Sequence, residues 1–349
     1  MRKASSHPIL ARLLCLVLLC ALMPMPGLAE NAELEENDIL YLYNSNSDYR
    51  VSPEGLPDYL PRSDDVLTVY CFDTGSMDAF LIVMDGEAVM LDSGGGAFAP
   101  QMLSLMDSLG IRRLKAAINT HPHSDHIDGF DDVLSVVPAN VFYTPFNAGE
   151  TRQHDNMMAA LKELGIPVLK IDDGDTLTIG RARLDCYRVP DGRTLNERSL
   201  VTRLTWGERS MLFTADIENN SVKALAELHG AALKSDVLKL PHHGQVRMAT
   251  EFLEAVSPCL AIVTNGRGER SAASVNQMKD RDIPCLYTVL GMVELRTDGA
   301  AWYARQFANN AMFTPDMLNL TQRTARFDHW LTFHPRYSTL AASQGNKGV

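Results

Sequence analysis

The chain has no apolar run long enough to cross a bilayer. Its longest, Leu13 to Met23, has eleven residues, whereas a spanning helix needs roughly 20. No segment therefore reads as a membrane-spanning helix. Positive charge is also in short supply. Against 43 Asp and Glu stand 32 Lys and Arg, a net charge of −11, so a general attraction to nucleic acid or anionic lipid is excluded. A polyanionic substrate would have to be drawn locally, for example by metal ions. Cysteine is sparse: six in 349 residues. Cys15 and Cys20 lie in the leading segment. Cys71, Cys186, Cys259 and Cys285 are too few for a disulfide scaffold and are wrongly spaced for a zinc knot. Each sits in or beside an apolar run and reads as a buried thiol. Cys259 and Cys285 each open a predicted strand, with a helix between, so they are expected close together. A disulfide there needs Cα atoms within roughly 7 Å. There is no internal repeat, which excludes solenoids and propellers.

What is present begins with a secretory signal over residues 1–29. Arg2, Lys3 and Arg12 precede the apolar core, Pro24 and Pro26 follow it, and Gly27 and Ala29 supply small residues for cleavage after Ala29. Leu19 before Cys20 is not the small residue that a lipoprotein anchor needs. The mature protein is therefore expected to be secreted or extracytoplasmic, without stable membrane insertion. Residues 30–65 are acidic and irregular and read as a linker or strap. Residues 66–306 read as the folded domain. Residues 307–349 read as a helical extension ("TPDMLNLTQRTARF") and a disordered tail.

Within the domain, strand and helix signals mix. "VLTVYCFD" is β-branched and aromatic, and "AFLIVMDGEAVMLDSG" is two strands joined at Asp85-Gly86. "PQMLSLMDSLG" is a helix stopped by Gly110, and "LKAAINT" is a strand. "TRQHDNMMAALKELG" is a helix closing at Gly165. "LVTRLTWGERSMLFTAD" is a hairpin turning at Gly207-Glu208, and "NNSVKALAELHG" is a helix with an Asn cap. "DVLKL", "TEFLEAVS", "LAIVTNG", "NQMKDRDI" and "PCLYTVL" then alternate strand and helix. Hairpins mixed with crossovers point to an α/β sandwich rather than a simple doubly wound sheet.

Histidine too is scarce, with ten in the chain, yet three crowd into "NTHPHSDHIDGF" (119–130). A strand ending at Thr120 puts His121 and His123 on one side if the chain stays extended. Asp125 and His126 follow where the chain turns into the helix "GFDDVLSVV". Imidazole and carboxylate suit zinc, and also manganese or iron. Two ligand clusters on one short loop can hold two metals about 3.5–4 Å apart, the spacing of two-metal hydrolysis.

The H-x-H-x-D-H spacing resembles the signature of the metallo-β-lactamase superfamily. "FDTGSMDAFLIVMDGEAVMLDSG" (72–94), "GDTLTIGRARLDCYRVP" (174–190), "NERSLVTRLTWGERSMLFTADI" (196–217) and "LKSDVLKLPHHG" (233–244) are similar to the soluble domain of ComEC-type competence proteins. The resemblance implies a four-layer αββα sandwich with two divalent metals, zinc or alternatively manganese, at one edge. It assigns His121, His123, Asp125 and His126 to the metal loop and Asp216 to a carboxylate that bridges both metals. Of the two histidines in "PHHG", His243 resembles the ligand position of related phosphodiesterases, which leaves His242 as a neighbour and proton donor. Asp92 matches a carboxylate that orients the metal loop from behind. Asp73 and Asp78 match the ComEC-type D-x-G-x-x-D.

The chain also departs from the pattern. Most superfamily members supply a third histidine to the first metal, but "VPDGRTLNERSLV" has none. Asn196 stands nearest, and an amide oxygen is a weaker zinc ligand that favours a harder metal. The first site is therefore expected to be the weaker one. His154 is an alternative, although a histidine in a polar helix usually lies on the surface. Gln245 replaces the usual serine after the histidine pair, and "ERSAAS" replaces a histidine-proline.

The expected chemistry is metal-dependent hydrolysis. Water activated between the metals attacks phosphorus or a carbonyl, and a nearby donor protonates the leaving group. Asp125, His242 and Lys239 are the candidate acid–base residues, with Lys239 also a candidate phosphate ligand. A small-molecule or nucleic-acid phosphodiester is the first substrate class. An ester, lactone or thioester is the second, and a non-catalytic binding protein with a degraded site is the third. Asp236, and the pair Asp328 and His329, read as structural or surface residues.

Overall fold

The computed structural model describes residues 39–44, 47–51, 62–265 and 272–306. Two sheets carry the fold. The first runs β2-β1-β17-β16-β3-β4-β5-β6-β7-β8. Its antiparallel part comprises β1 (Ile39–Asn44), β2 (Ser47–Val51), β3 (Leu67–Cys71), β4 (Ala79–Met84), β5 (Glu87–Ser93), β16 (Val293–Thr297) and β17 (Ala301–Gln306). The hairpin of β4 and β5 turns at Asp85-Gly86, both with positive φ (52° and 73°). A two-residue hairpin turn whose twist matches its strands needs positive φ. Beyond β5 the sheet becomes parallel through β6 (Ala116–Ile118), β7 (Phe142–Thr144) and β8 (Val168–Lys170).

The second sheet follows the same plan, with order β15-β14-β13-β12-β11-β10-β9. β9 (Thr176–Ile179), β10 (Ala182–Tyr187), β11 (Val201–Trp206) and β12 (Arg209–Phe213) form an antiparallel meander. Gly207-Glu208 makes its last turn, between Trp206 and Arg209. β13 (Val237–Lys239), β14 (Leu260–Val263) and β15 (Cys285–Tyr287) add in parallel.

Parallel neighbours need crossovers, and these are almost always right-handed. In the first sheet the crossovers use α1 (Ala99–Ser108), then α2 (Ser124–Ile127) with α3 (Phe130–Val136), then α4 (Arg152–Glu163). In the second they use α5 (Asn219–His229), α6 (Thr250–Val256) and α7 (Ala272–Lys279). Each series steps in one direction across its sheet, so its helices cover one face. The other faces pack on each other. Leu67, Val69 and Cys71 of β3 join Phe80 and Ile82 of β4 and Leu204 and Phe213 of the second sheet in one core, while Thr68 and Tyr70 alternate to the far side. The result is the expected αββα sandwich.

Some boundaries differ from the sequence reading. Residues 39–44 and 47–51, within the stretch read as an irregular strap, extend the first sheet: β1 pairs with β17, and β2 with β1. "ILYLYN" is rich in β-forming residues, which the acidic surroundings masked. α5 is capped by Glu218 rather than Asn219, through a capping box with Ser221. β14 and β15 are parallel neighbours, yet Cys285 pairs with Ala261 rather than Cys259, and no disulfide joins the four described cysteines. The signal, residues 307–349 and the Asp328-His329 pair lie outside the described residues. None of the described helices is long and apolar enough to cross a membrane.

Candidate metal centre

The ends of β5 and β6 in one sheet, and of β12, β13 and β14 in the other, converge at one edge of the sandwich. After β6 the chain is fixed by Asn119, whose Nδ2 donates to the His121 carbonyl at 2.6 Å. His123 remains extended and caps α2, which places Asp125 and His126 in one helical turn. His121 Nε2 lies 3.1 Å from His123 Nδ1, so the two imidazoles do share one side. After β12, Asp216 follows Ala215, whose φ of 47° is held by two donors to its carbonyl, Lys239 Nζ at 2.9 Å and the His242 N–H at 3.0 Å.

Pro241 leaves Leu240 extended (φ −65°, ψ 135°), but His242 and His243 are left-handed (φ 46° and 52°). The pair is therefore not extended: the chain curls, and its strain is held by the His242 N–H bond to the Ala215 carbonyl. Of the seven described non-glycine residues with positive φ, Asp92, Ala215, His242 and His243 are at this edge. Such strain gathers where a site dictates geometry.

Asp125, His126, Asp216 and His243 each present a donor atom, all within 4.8 Å of one another. His126 Nε2 lies 3.3 Å from Asp216 Oδ1. His243 Nε2 lies 3.3 Å from Asp125 Oδ2 and 3.4 Å from Asp216 Oδ2. Two ligands at about 2.0–2.1 Å from a tetrahedral metal are about 3.4 Å apart. His126 Nε2 and Asp216 Oδ1 are buried without a hydrogen-bond partner. Spacing and unspent donors both fit a divalent cation. Asp216 Oδ2 is also 3.9 Å from His121 Nε2, so Asp216 reaches toward both the His121–His123 pair and the larger group.

Each ring that faces the centre through Nε2 is held from behind. His126 Nδ1 meets Asp92 Oδ2 at 2.7 Å, and Asp92 also accepts from the Thr120 N–H (2.8 Å) and hydroxyl (2.6 Å). His243 Nδ1 faces Asp78 Oδ1 at 3.3 Å and the Thr264 hydroxyl at 3.2 Å. A carboxylate behind a ligating histidine fixes the tautomer and raises the basicity of the ring. Burial pushes His121 well below its usual value, with His126 adding to the effect, so it is a neutral imidazole. Burial also opposes charge on His126 and His243, but Asp216 with Asp92 raises His126 to about 10, and Asp216 with Asp78 lifts His243 well above its usual value. Burial alone would raise Asp125, but His243 and His126 bring it down to about 2. Divalent cations compete with these protons for the same donors.

The remaining candidates fall in different places. His242 is 27 % exposed, with Nδ1 3.2 Å from Glu218 and Nε2 3.7 Å from Asp216. Lys239, read as a donor or phosphate ligand, is completely buried, its ammonium against Asp78 and 3.7 Å from Asp216 Oδ1. It lies behind the carboxylates and is not placed to reach a leaving group, which corrects that reading. The Asp73 carboxylate accepts from the Gly75 N–H and shapes the turn before β4. Asn196 is buried with its Oδ1 unpaired, in a segment tied to the metal loop by the Leu200 N–H to the Thr120 carbonyl at 3.0 Å. His154, expected on the surface, is fully buried in α4. Asp236 is structural, accepting from the Ser210 N–H at 2.8 Å. Glu218 and Thr264 were missed. Neither belongs to a recognisable spacing.

The imidazoles and carboxylates gathered at one edge of the αββα sandwich form a candidate metal centre. The sequence profile of the Metallo-beta-lactamase superfamily matches residues 73–259, more than half of the 349 residues. The chain belongs to the metallo-beta-lactamase superfamily, a family of metal-dependent hydrolases. It is 26% identical to ComE operon protein 3 of Bacillus subtilis (strain 168) over 172 residues, 48% of this chain and 22% of that protein. It is 25% identical to Competence protein ComA of Neisseria gonorrhoeae over 214 residues, 60% of this chain and 28% of that protein. The chain thus spans less than a third of either relative. Among solved structures it is similar to CmlA, a diiron beta-hydroxylase from Streptomyces venezuelae, at 16% identity and a TM-score of 0.46, covering 68% of this chain and 55% of that one.

Proposed function

We propose that the protein is an exported, metal-dependent phosphodiesterase. His121, His123 and Asp216, with Asn196 as a fourth donor, would hold the first ion. Asp125, His126, Asp216 and His243 would hold the second. Bound divalent ions supply the Lewis acidity that polarises a phosphoryl oxygen and makes water nucleophilic near neutral pH. The chain's own residues do the rest. Asp92 and Asp78 hold the two ring tautomers. The αββα core fixes the ligand-bearing strand ends, and burial keeps bulk water from the inner donors.

The observation that carries this reading is His242. It stands at the open side of the cluster, backed by Glu218 through Nδ1, with Nε2 turned toward Asp216. An alkoxide leaving group from a diester needs a proton, and a carboxylate-backed imidazole at the rim can deliver it. The net charge of −11 favours a small or single-stranded diester over a long duplex.

The test is metal analysis of purified mature protein followed by assays on bis-p-nitrophenyl phosphate, single-stranded DNA, a lactone and nitrocefin. Cleavage of the diester that a chelator abolishes and metal restores is expected. Turnover of only the lactone or nitrocefin would move the protein to carbonyl chemistry. Metal binding without turnover of any substrate would make it a binding protein.

A further inference from the structure

Three consecutive residues, His242, His243 and Gly244, have positive φ, at 46°, 52° and 82°. L residues visit this region singly, because the Cβ crowds the following carbonyl. A left-handed run that includes two histidines has to be held by its surroundings. The run also has a geometric consequence. In an extended segment adjacent side chains point to opposite sides. Here the Nε2 atoms of His242 and His243 converge on one oxygen, Asp216 Oδ2, at 3.7 Å and 3.4 Å. The left-handed turn brings both rings to the same carboxylate.

Backbone hydrogen bonds fix the first residue of the turn. The His242 N–H donates to the Ala215 carbonyl at 3.0 Å, and the His242 carbonyl accepts from the Gln245 N–H at 2.9 Å. A side chain fixes the second residue. Asn265 is buried, and its Nδ2 donates to the His243 carbonyl at 3.2 Å. Its Oδ1 accepts from the Ser76 hydroxyl at 3.3 Å, which sets the end of the amide that faces His243. Asn265 follows Thr264, whose hydroxyl stands 3.2 Å from His243 Nδ1. The chain leaving β14 thus holds the His243 ring through one residue and its carbonyl through the next. The turn before β4 reaches His243 by two routes, Asp78 at the ring and Ser76 through Asn265. We propose that Asn265, oriented by Ser76, is a positioning residue that holds the left-handed turn and so keeps His242 and His243 converged on Asp216. The proposal rests on the metal-centre reading for what the converged rings then do.

Asn265→Leu nearly keeps the side-chain shape and removes the donor, and Asn265→Ala is the second variant should the first fold poorly. Amide hydrogen exchange is measured on metal-free protein. Loss of the hold should speed exchange at His242 and Gln245 about tenfold, while the amides of β11 and β12 exchange as in wild type. Zinc is then titrated in by calorimetry. The ion bound by Asp125, His126, Asp216 and His243 should bind about tenfold more weakly, and the ion at His121 and His123 within about threefold of wild type. Ser76→Ala should show the same pattern at smaller size. Ser76→Thr keeps the hydroxyl and should restore wild-type values. Unchanged exchange at His242 and Gln245 in both Asn265 variants, or unchanged affinity for the ion at His243, would overturn the proposal. So would equal weakening of both ions or faster exchange throughout, since either would make Asn265 a structural residue of the whole domain. Wild type that takes up no zinc would end the metal-centre reading, and the exchange measurement would still decide whether Asn265 holds the turn.

Discussion

Replacing Asp92 by Asn keeps volume and shape but removes one acceptor from a carboxylate with no acceptor to spare. Oδ1 accepts from the Thr120 N–H at 2.8 Å, and Oδ2 from the Thr120 hydroxyl at 2.6 Å and from His126 Nδ1 at 2.7 Å. Whichever way the amide sits, its NH2 meets an N–H. Turned toward Oδ1, it opposes the Thr120 backbone and pushes on the loop that carries His121. Turned toward Oδ2, it forces His126 into the other tautomer, with its proton on Nε2, the nitrogen that faces Asp216 at 3.3 Å. One buried donor left unpaired costs about 1–3 kcal/mol. Loss of a carboxylate behind a ligating histidine costs about 10–100-fold in metal affinity, or about 1.4–2.8 kcal/mol. The assay is titration of metal into wild type and Asp92→Asn against a chromophoric chelator, with thermal melts in excess chelator to read the folding cost. Affinity within twofold of wild type, together with an unchanged melting temperature, would refute the reasoning that Asp92 fixes the His126 ring.

His243→Ala should lose metal and activity together, whereas His242→Ala should keep its metal and lose turnover by about 10²–10⁴-fold; elemental analysis beside steady-state kinetics separates them, and metal loss only in the His242 variant would reverse the assignment. Calorimetric titration of metal should resolve one tight and one weaker event, because Asn196 offers only an amide oxygen, and two equal tight events would contradict that. Native mature protein should show one thiol reactive to an aromatic disulfide and four after denaturation, since Cys71, Cys186 and Cys285 are buried while Cys259 is partly exposed; burial also pushes Cys186 up to about 12. Protein recovered from outside the cytoplasm should begin near Glu30, and an intact Met1 on sequencing would defeat the export reading.

Much of this protein is legible in its sequence because its signals are local. Alternation in "AFLIVM" and "EAVMLDS" marks strands, Asp85-Gly86 marks their turn, and H-x-H-x-D-H at a strand end marks a metal loop, since each depends on a few consecutive residues. Asp216 and the histidine pair were found only through family resemblance, because a lone Asp at a strand end carries no spacing of its own. Tertiary structure alone decided the rest. Sequence offered Lys239 as a free cation, and only the meeting of β13 with the turn before β4 buries it against Asp78, 161 positions away. His154 lies in a helix whose neighbours are mostly polar, yet packing buries it. "PHHG" suggests an extended pair, and only the bond from the His242 N–H to the Ala215 carbonyl curls it left-handed. Asp78 meets Lys239, Thr264 and His243, and His243 meets Asp125, across the two sheets. Charge and hydrogen-bond balance at the centre is a property of that meeting, which no local stretch of the chain contains.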